Sequence, residues 1–355
     1  MGKIRIAIIG CGNIARNAHV KNYLQLTDRF ELVAACDIIP ERAEAFAKEF
    51  GIPATYTDYR EVLKIEGLDA VDICTPNYLH SIIAVEALEA GINVLCEKPD
   101  AINPTEAKKM QAAAEKSGKL LMVIRNNRFI TQTQYLKKYI DEGKLGEVYA
   151  ARCGWQRRRG VPGRGGWFTT KELSGGGPLI DLGVHMIDVA MWLMGSPRPV
   201  AVSGCAYNKF ANDPASGSIK QYGDSNAKGT FDVEDLAMGF IRFDNGACLQ
   251  IEFSWASNVR RDNKFFELRG TLAGAEWSTT DGELRIYGEE CGRPVDLIPQ
   301  LGKDLPGHLG NLKNFADALE GKAEPVFKVQ EGVDMIKILC AIYESAETGR
   351  EVVLD

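Results

Sequence analysis

Asp181, His185 and Asp188 recur at offsets of four and three inside the otherwise apolar stretch GGGPLIDLGVHMIDVAMWLMG, residues 175–195. On a helix that spacing puts all three on one face. Two carboxylates and an imidazole are costly to bury without a task or a wet cleft, so the stripe suits the wall of an active site. An imidazole titrating near neutral pH can act there as a general base. The same residues also allow a plainer arrangement, a core histidine satisfied by Asp188.

A second chemical group closes the run NVLCEKP, residues 93–99, where Glu97 and Lys98 stand just before Pro99. If the run is a parallel strand, Lys98 either faces a crevice at its carboxyl end or is a solvated strand-end charge. An X–Pro bond can be cis at modest cost, and a cis Lys98–Pro99 bond would aim the lysine. A third group is IAIIGCGNIA, with Gly10, Gly12 and Ala15 spaced as G-x-G-x-x-A between a strand and a helix. Such glycines permit a tight turn and a close backbone approach to a pyrophosphate, whose charge the first N–H groups of the helix attract.

The next strand ends in Asp37, a little over twenty residues on, where a carboxylate can accept from ribose hydroxyls. A carboxylate there repels a 2′-phosphate, and Ile38, Ile39 and Pro40 supply no cation, which favours NAD over NADP; Arg42 keeps NADP open. CTPNYLH brings Thr75, Pro76, Asn77 and His80 to the ligand-binding edge of the same sheet, although Asn77 could equally cap the following helix. We count Asn13, Ile14, Glu97 and Lys98 with the cofactor set. Lys98, Arg125, Trp167, Asp181 and His185 form the substrate set.

These groups need a scaffold to hold them. Apolar runs at 3–9, 30–37, 69–75, 92–98 and 119–124, with a weaker one near 54–57, alternate with helical patterns, which predicts βαβ units on a doubly wound parallel sheet. The pattern NPTEAKKMQAAAEKSG, 103–118, opens on an Asn cap and closes on a Gly. Beyond residue 125 the texture changes. A helix at 131–144 and a strand near 147–156 precede a Gly- and Arg-rich loop, 157–177, and then the helix at 179–194 that carries the stripe. Strands near 198–207, 233–243, 246–256, 263–270 and 282–287 follow with short turns, which favours antiparallel meander pairing. Residues 211–230 read as an exposed loop, and helices near 307–320 and 329–347 end the chain. The division is therefore 1–125, a nucleotide-binding domain, and 126–355, an α+β domain that carries the Asp181/His185 stripe.

The bulk properties agree. At 355 residues two cores are expected, and 45% hydrophobic with 25% charged residues is a globular composition. A net charge of -6 gives no reason to expect nucleic acid as a partner. The nine cysteines are scattered singly, without a CxxC pair or a Cys/His cluster at metal spacing, so they read as packing groups in a reducing compartment, and no metal is expected. No signal peptide or membrane-length apolar run is visible, and the expected location is the cytoplasm.

In order along the chain, GCGNIA, CTPNYLH, EKP and GGGPLIDLGVHMID, with a strand-rich second half and the ending DMIKILCAIYESAETG, resemble the Gfo/Idh/MocA oxidoreductases. The resemblance covers nearly the whole chain; Ala15 in place of the third glycine departs from the pattern and is tolerated by the motif. It implies a Rossmann domain and an open, largely antiparallel second sheet serving in a homo-oligomer, dimer or tetramer. It also implies a dehydrogenase that moves hydride from a secondary alcohol carbon of a sugar, glycoside or polyol to NAD. Lys98 matches the family's catalytic lysine, Asp181 its substrate-binding acid and His185 its catalytic histidine. His185 would then be the general base, Lys98 would steady the developing alkoxide and lower the imidazole pKa, and Asp181 would accept from a substrate hydroxyl. Two alternatives stay open: a glycosidase of the same family acting by transient oxidation, and a sugar-responsive regulator. In the loop WQRRRGVPGRGGWFTT, Trp155 and Trp167 suit a sugar face, whereas the arginines at 157, 158, 159 and 164 either grip an anion or form a solvated surface.

Overall fold

The computed structural model describes residues 2–217, 225–226, 228–302 and 306–355. The chain divides into two compact units, Met1–Asn126 with Pro306–Ile336, and Asn127–Leu305 with Lys337–Asp355. The sequence reading places one cut near residue 125, whereas residues 306–336 group with the N-terminal segment. Side-chain bonds explain the grouping: Arg125 N donates to Asn311 Oδ1 at 3.0 Å, and Arg29 pairs with Asp317 and Glu320, both at 2.8 Å. Linear patterns carry no trace of such contacts.

The first unit holds a parallel sheet of β1 (Ile4–Ile9), β2 (Phe30–Cys36), β3 (Thr55–Tyr56), β4 (Ala70–Ile73), β5 (Asn93–Cys96) and β6 (Leu121–Val123), in the order β3-β2-β1-β4-β5-β6. Helices cover both faces of such a sheet, so its central strands are apolar almost throughout. The order reverses between β1 and β4, which opens a crevice at the carboxyl ends of those strands. The helix Pro104–Ser117 is capped as its sequence predicts: Asn103 accepts from Glu106 N, and Gly118 takes a left-handed φ of 65°. The helix that follows β1 is irregular. It opens with a wide π-type turn, Ala15–His19, before one ordinary turn, Val20–Tyr23.

The second unit is built on a nine-stranded sheet: β7 (Val148–Gln156), β8 (Pro199–Tyr207), β9 (Leu236–Phe243), β10 (Cys248–Ser254), β11 (Asn263–Gly270), β12 (Gly274–Ser278), β13 (Leu284–Glu290), β14 (Arg293–Leu297) and β15 (Val352–Val353). Its order is β14-β13-β12-β11-β7-β10-β9-β8-β15. The expected meander holds for β8-β9-β10 and for β11 to β14, all antiparallel. It fails between β10 and β11, because β7 lies between them, parallel to β10 and antiparallel to β11. Short turns report only their own hairpins, so an inserted earlier strand is invisible to them. Ala151, Cys153 and Trp155 of β7 share a face with Phe266 and Leu268 of β11, and the helix Val184–Leu193 packs on that side. The expected exposed loop at 211–230 falls partly outside the described residues, at 218–224 and 227. In its described part Ser216 is buried.

Candidate active site

In the first unit the two motif glycines serve different needs. A Cβ on Gly10, whose φ is 98°, would stand 2.6 Å from the carbonyl carbon and oxygen of Cys74, so the crossing of β1 and β4 requires glycine. A Cβ on Gly12 would meet nothing within 4 Å. The fold itself does not require Gly12; the room it leaves suits a ligand drawn close to the backbone. Asp37 lies beside this turn, 8% exposed, its Oδ2 accepting from Cys11 N at 3.1 Å and its Oδ1 from Ile39 N at 3.0 Å. Arg42 Nη1 is 3.8 Å from Asp37 Oδ2, so the nearby cation is drawn toward the carboxylate. Ile14, Ile38 and Ile39 are exposed, Ile38 at 83%, and offer apolar surface that a flat aromatic base could cover. Asn13 is exposed as well.

At the end of β4, Thr75 Oγ1 is buried without a partner among the described residues, a hydroxyl that a bound molecule could satisfy. Pro76 precedes a short turn, Asn77–Leu79, in which the buried Asn77 stands inside the turn rather than at its cap. His80 is buried, and both its ring nitrogens face backbone carbonyls, Pro99 O at 2.7 Å and Thr75 O at 2.9 Å. Burial lowers its pKa, and the nearby Lys98 charge acts in the same direction. These residues fit a dinucleotide: a relieved glycine turn, a ribose-height carboxylate, an apolar shelf and an orphaned hydroxyl.

β5 ends at Cys96, and Glu97 and Lys98 follow, with the Lys98–Pro99 bond cis. Glu97 belongs to a chain of buried bonds. Its Oε2 accepts from Lys98 N at 3.1 Å, and its Oε1 faces His19 Nε2 at 2.8 Å and His308 Nε2 at 3.3 Å. His19 Nδ1 faces Asp72 Oδ2 at 2.7 Å, and Tyr23 OH donates to the same oxygen at 2.9 Å. Burial alone would lower the His19 pKa, yet the neighbouring Asp72 holds it well above its ordinary value. Burial alone would raise Glu97, yet hydrogen bonds from His19 and His308 hold it well below the usual carboxylate range. Both His19 ring nitrogens thus face carboxylate oxygens, an arrangement that favours the protonated ring. Ligand-type atoms of His19, Glu97 and His308 lie within 4.8 Å of one another, and the short contacts between rings and carboxylate are those of hydrogen bonds.

Arg125, expected in the substrate set, is enclosed in the first unit. It is 2% exposed, its Nη2 lies 2.6 Å from Asp100 Oδ2, and its guanidinium sits over the Phe327 ring at 4.9 Å. Its donors serve the interior of the first unit.

In the second unit the stripe divides. Leu179–Gly183 form a wide π-type turn that leads into the helix Val184–Leu193. The helix start is anchored by Glu234, which accepts from Gly177 N at 2.9 Å, Leu179 N at 3.0 Å and Tyr343 OH at 2.9 Å. Two of the glycines follow from this packing: a Cβ at Gly177 would overlap the Glu234 backbone oxygen and press on its carboxylate, and a Cβ at Gly176 would overlap the Tyr343 hydroxyl. Asp181 Oδ2 accepts from the Nε1 of buried Trp255 at 3.0 Å. The His185 ring lies 6.0 Å from that of Trp155, and both are half-buried. Asp188 is buried and bound by Arg128 through two bonds, 2.8 and 2.7 Å. The most buried acid of the stripe is thus a structural partner, and the two half-exposed groups remain for chemistry.

Trp167 is half-buried and stacks on Phe168 at 3.8 Å. The loop arginines are tethers. Arg157 bonds Gly160 O and lies over Trp155, Arg159 bonds Ser257 O and Asn258, and Arg164 bonds the Ala211 and Asp213 carbonyls and Ser216. Lys264 Nζ donates to Asn127 Oδ1 at 2.6 Å and lies over both Trp155 and Trp277, and burial brings its pKa down to about 8. His19, Asp72, His308, Glu234, Trp255 and Lys264 escaped the sequence reading. Only Asp72 had a usable signal, an acid in the middle of an apolar parallel-strand run.

Comparison with known proteins gives the site its context. A family model described as an oxidoreductase family with an NAD-binding Rossmann fold matches residues 4–125, and a GFO/IDH/MocA C-terminal domain model matches residues 133–290. A D-glucoside 3-dehydrogenase of Escherichia coli (strain K12) is 36% identical over 99% of this chain and 97% of its own. A scyllo-inositol 2-dehydrogenase (NAD(+)) of Bacillus subtilis (strain 168) is 28% identical over 99% and 97%. A solved levoglucosan dehydrogenase in complex with NADH and levoglucosan superposes with a TM-score of 0.86 at 26% identity, covering 99% of both chains.

Proposed function

The chain belongs to the Gfo/Idh/MocA oxidoreductase family, and from that premise we propose that it is an NAD-dependent dehydrogenase oxidising a secondary hydroxyl of a sugar, glycoside or polyol. The observation that carries this reading is the dinucleotide cradle of Gly10, Gly12, Asp37 and Thr75 on the same sheet whose β5 delivers Lys98. Bound there, NAD supplies the hydride acceptor. Gly10, Gly12, Asn13 and Ile14 take the pyrophosphate end, Asp37 the ribose hydroxyls, and Thr75, Pro76, Asn77 and Glu97 the crevice side. His80 supports this edge through the Thr75 and Pro99 carbonyls. Asp37, already bonded to two backbone N–H groups, favours NAD over a 2′-phosphorylated cofactor.

Lys98 donates to the reacting oxygen and stabilises its developing charge. His185 accepts the hydroxyl proton, and Asp181, oriented by Trp255, accepts from a neighbouring hydroxyl of the substrate. Trp155 and Trp167 offer faces for a pyranose. Glycosides of D-glucose are the first substrates to try, because the E. coli relative acts on D-glucosides. The glycosidase alternative is not favoured, since the relatives described above are dehydrogenases.

The outward face of the second sheet carries exposed Tyr207, Met238 and Tyr287, which supports a homo-oligomer, a dimer or tetramer, formed through that face. Among the described residues no helix is long and apolar enough to cross a membrane. The nine cysteines, all free, suit the cytoplasm. Incubation with NAD and methyl β-D-glucoside, levoglucosan, scyllo-inositol or glucuronate, followed at the NADH absorbance, tests the activity. We expect NADH with at least one of them and none with Lys98→Met. Glycoside cleavage without NADH would overturn the reading.

A further inference from the structure

We infer that His19 and His80 are positioning residues that clamp Lys98 through the peptide groups on either side of it, His19 acting through Glu97 on the Lys98 N–H and His80 acting directly on the Pro99 carbonyl. The inference rests on the reading that Lys98 works on the substrate.

The first clamp is a continuous chain. Asp72 in β4 receives Tyr23 OH and His19 Nδ1, His19 Nε2 reaches Glu97 Oε1, and Glu97 Oε2 receives Lys98 N. Every member except Lys98 is buried, and the chain links two neighbouring strands through a helix. Ionised groups are expensive inside a central sheet, and a hydrophobic trio of similar volume would pack the same space without that cost. What such a trio could not provide is a fixed acceptor aimed at one N–H, just past the end of β5. The wide turn Ala15–His19 ends on the histidine that completes the link. His308 approaches the same Glu97 oxygen from the helix Gly307–Leu319 and is the half-exposed end of the cluster.

The second clamp is shorter. His80 Nδ1 lies 2.7 Å from Pro99 O and Nε2 lies 2.9 Å from Thr75 O; a neutral ring has one N–H to donate, and the shorter contact, to the Pro99 carbonyl immediately past the lysine, is the one that forms the clamp. With an N–H held on one side and a carbonyl on the other, the Lys98 backbone has little freedom. A misplacement of about 1 Å at a reacting group can cost on the order of 10²-fold in rate, which is the scale on which such clamps matter.

His19→Gln keeps a donor toward Glu97 but loses the charge and the bond to Asp72. We expect its kcat to fall roughly 10- to 100-fold while NADH affinity, read by fluorescence titration, stays within about twofold, a split that mere loss of folded protein would not give. If His19→Gln does not fold, Tyr23→Phe and His308→Gln, each removing an outer bond only, should lower kcat about three- to tenfold at unchanged NADH affinity. Histidine nitrogen NMR of the parent protein at pH about 8 should show one ring still protonated on both nitrogens, and that signature should vanish in His19→Gln. A folded His19→Gln with parental kcat, outer variants with parental kcat, or a neutral His19 ring at that pH would overturn the inference. Lys98→Met separates the premise: if that variant turns over normally, the catalytic reading of Lys98 has failed, whereas an inactive Lys98→Met beside a fully active His19→Gln removes the clamp alone.

Discussion

Each unit places a histidine at or just beyond a wide π-type turn at the start of a helix, and the two histidines are treated in opposite ways. His19 ends the turn Ala15–His19, is fully enclosed, and spends both ring nitrogens on carboxylates. His185 follows the turn Leu179–Gly183, stays half-buried, and has an indole for its ring neighbour. The same local device, an extra residue in the first turn, re-aims a side chain in both places. What differs is the surrounding charge. Two carboxylates flank His19 and raise its pKa, which favours the charged ring. The His185 ring is half-buried beside Trp155, and in the proposed function it is the group that takes up the hydroxyl proton.

The contrast is broken or sharpened most strongly at His185 itself. His185→Asn should lower kcat by roughly 10²- to 10⁴-fold, the range for a lost general base, with unfolding stability within about 0.5 kcal/mol of the parent. Removal of His19, by contrast, leaves Asp72 and Glu97 without their shared cation, and a loss of about 3–5 kcal/mol is expected. Steady-state kinetics with urea unfolding of both variants provide the check. Equal destabilisation by the two substitutions would mean that His185 is also a scaffold group.

The sequence made one member of this pair visible and hid the other, for a physical reason. His185 stands in a stripe of helical spacing on an apolar background, and the glycine turn, Asp37 and Lys98 stand at strand ends that local periodicity marks. His19 lies in a polar helical stretch, ARNAH, where a histidine attracts no notice. Its partners Asp72, Glu97 and His308 are 53, 78 and 289 residues away, so only the packed sheet reveals the cluster. The inserted strand β7, the return of residues 306–336 to the first unit, and the burial of Arg125 were illegible for the same cause: each depends on partners distant along the chain. The arginine-rich loop shows a use that spacing does not reveal. Arg158 is exposed, as a solvated loop would have it, while Arg159 and Arg164 donate to carbonyls of neighbouring segments.

Asp188 sharpens the comparison from the side of stability. It shares the helix of His185 but behaves like the His19 cluster, a buried charge with a dedicated partner in Arg128. Arg128→Met should therefore cost about 3–5 kcal/mol, because it strips a bidentate partner from a buried carboxylate, while the kcat of the folded fraction changes far less. The double variant Arg128→Met/Asp188→Leu should recover most of that loss. Urea unfolding curves with active-site titration decide the matter; a double variant as unstable as the single one would show that packing rather than charge governs the site.

The smallest expected effect concerns Lys264, a cation that bonds the Asn127 amide oxygen and lies over Trp155. Burial depresses its folded pKa to about 8, below its ordinary value of 10.5. Below pH 8 the folded state must carry a poorly solvated ammonium. Between about pH 8 and 10.5 the unfolded chain binds more protons at this position than the folded one, so the lysine's unfavourable contribution shrinks as pH rises through that window and is gone above it. Lys264→Met should accordingly be more stable than the parent at pH 7, by roughly 1–3 kcal/mol, and the advantage should fade as pH approaches 10.5. Unfolding curves of the two proteins across that range test the sign directly. A pH-independent difference would show that the two indoles and Asn127 compensate the charge fully, leaving Lys264 as a fixed cation rather than a titrating neighbour of the His185 helix.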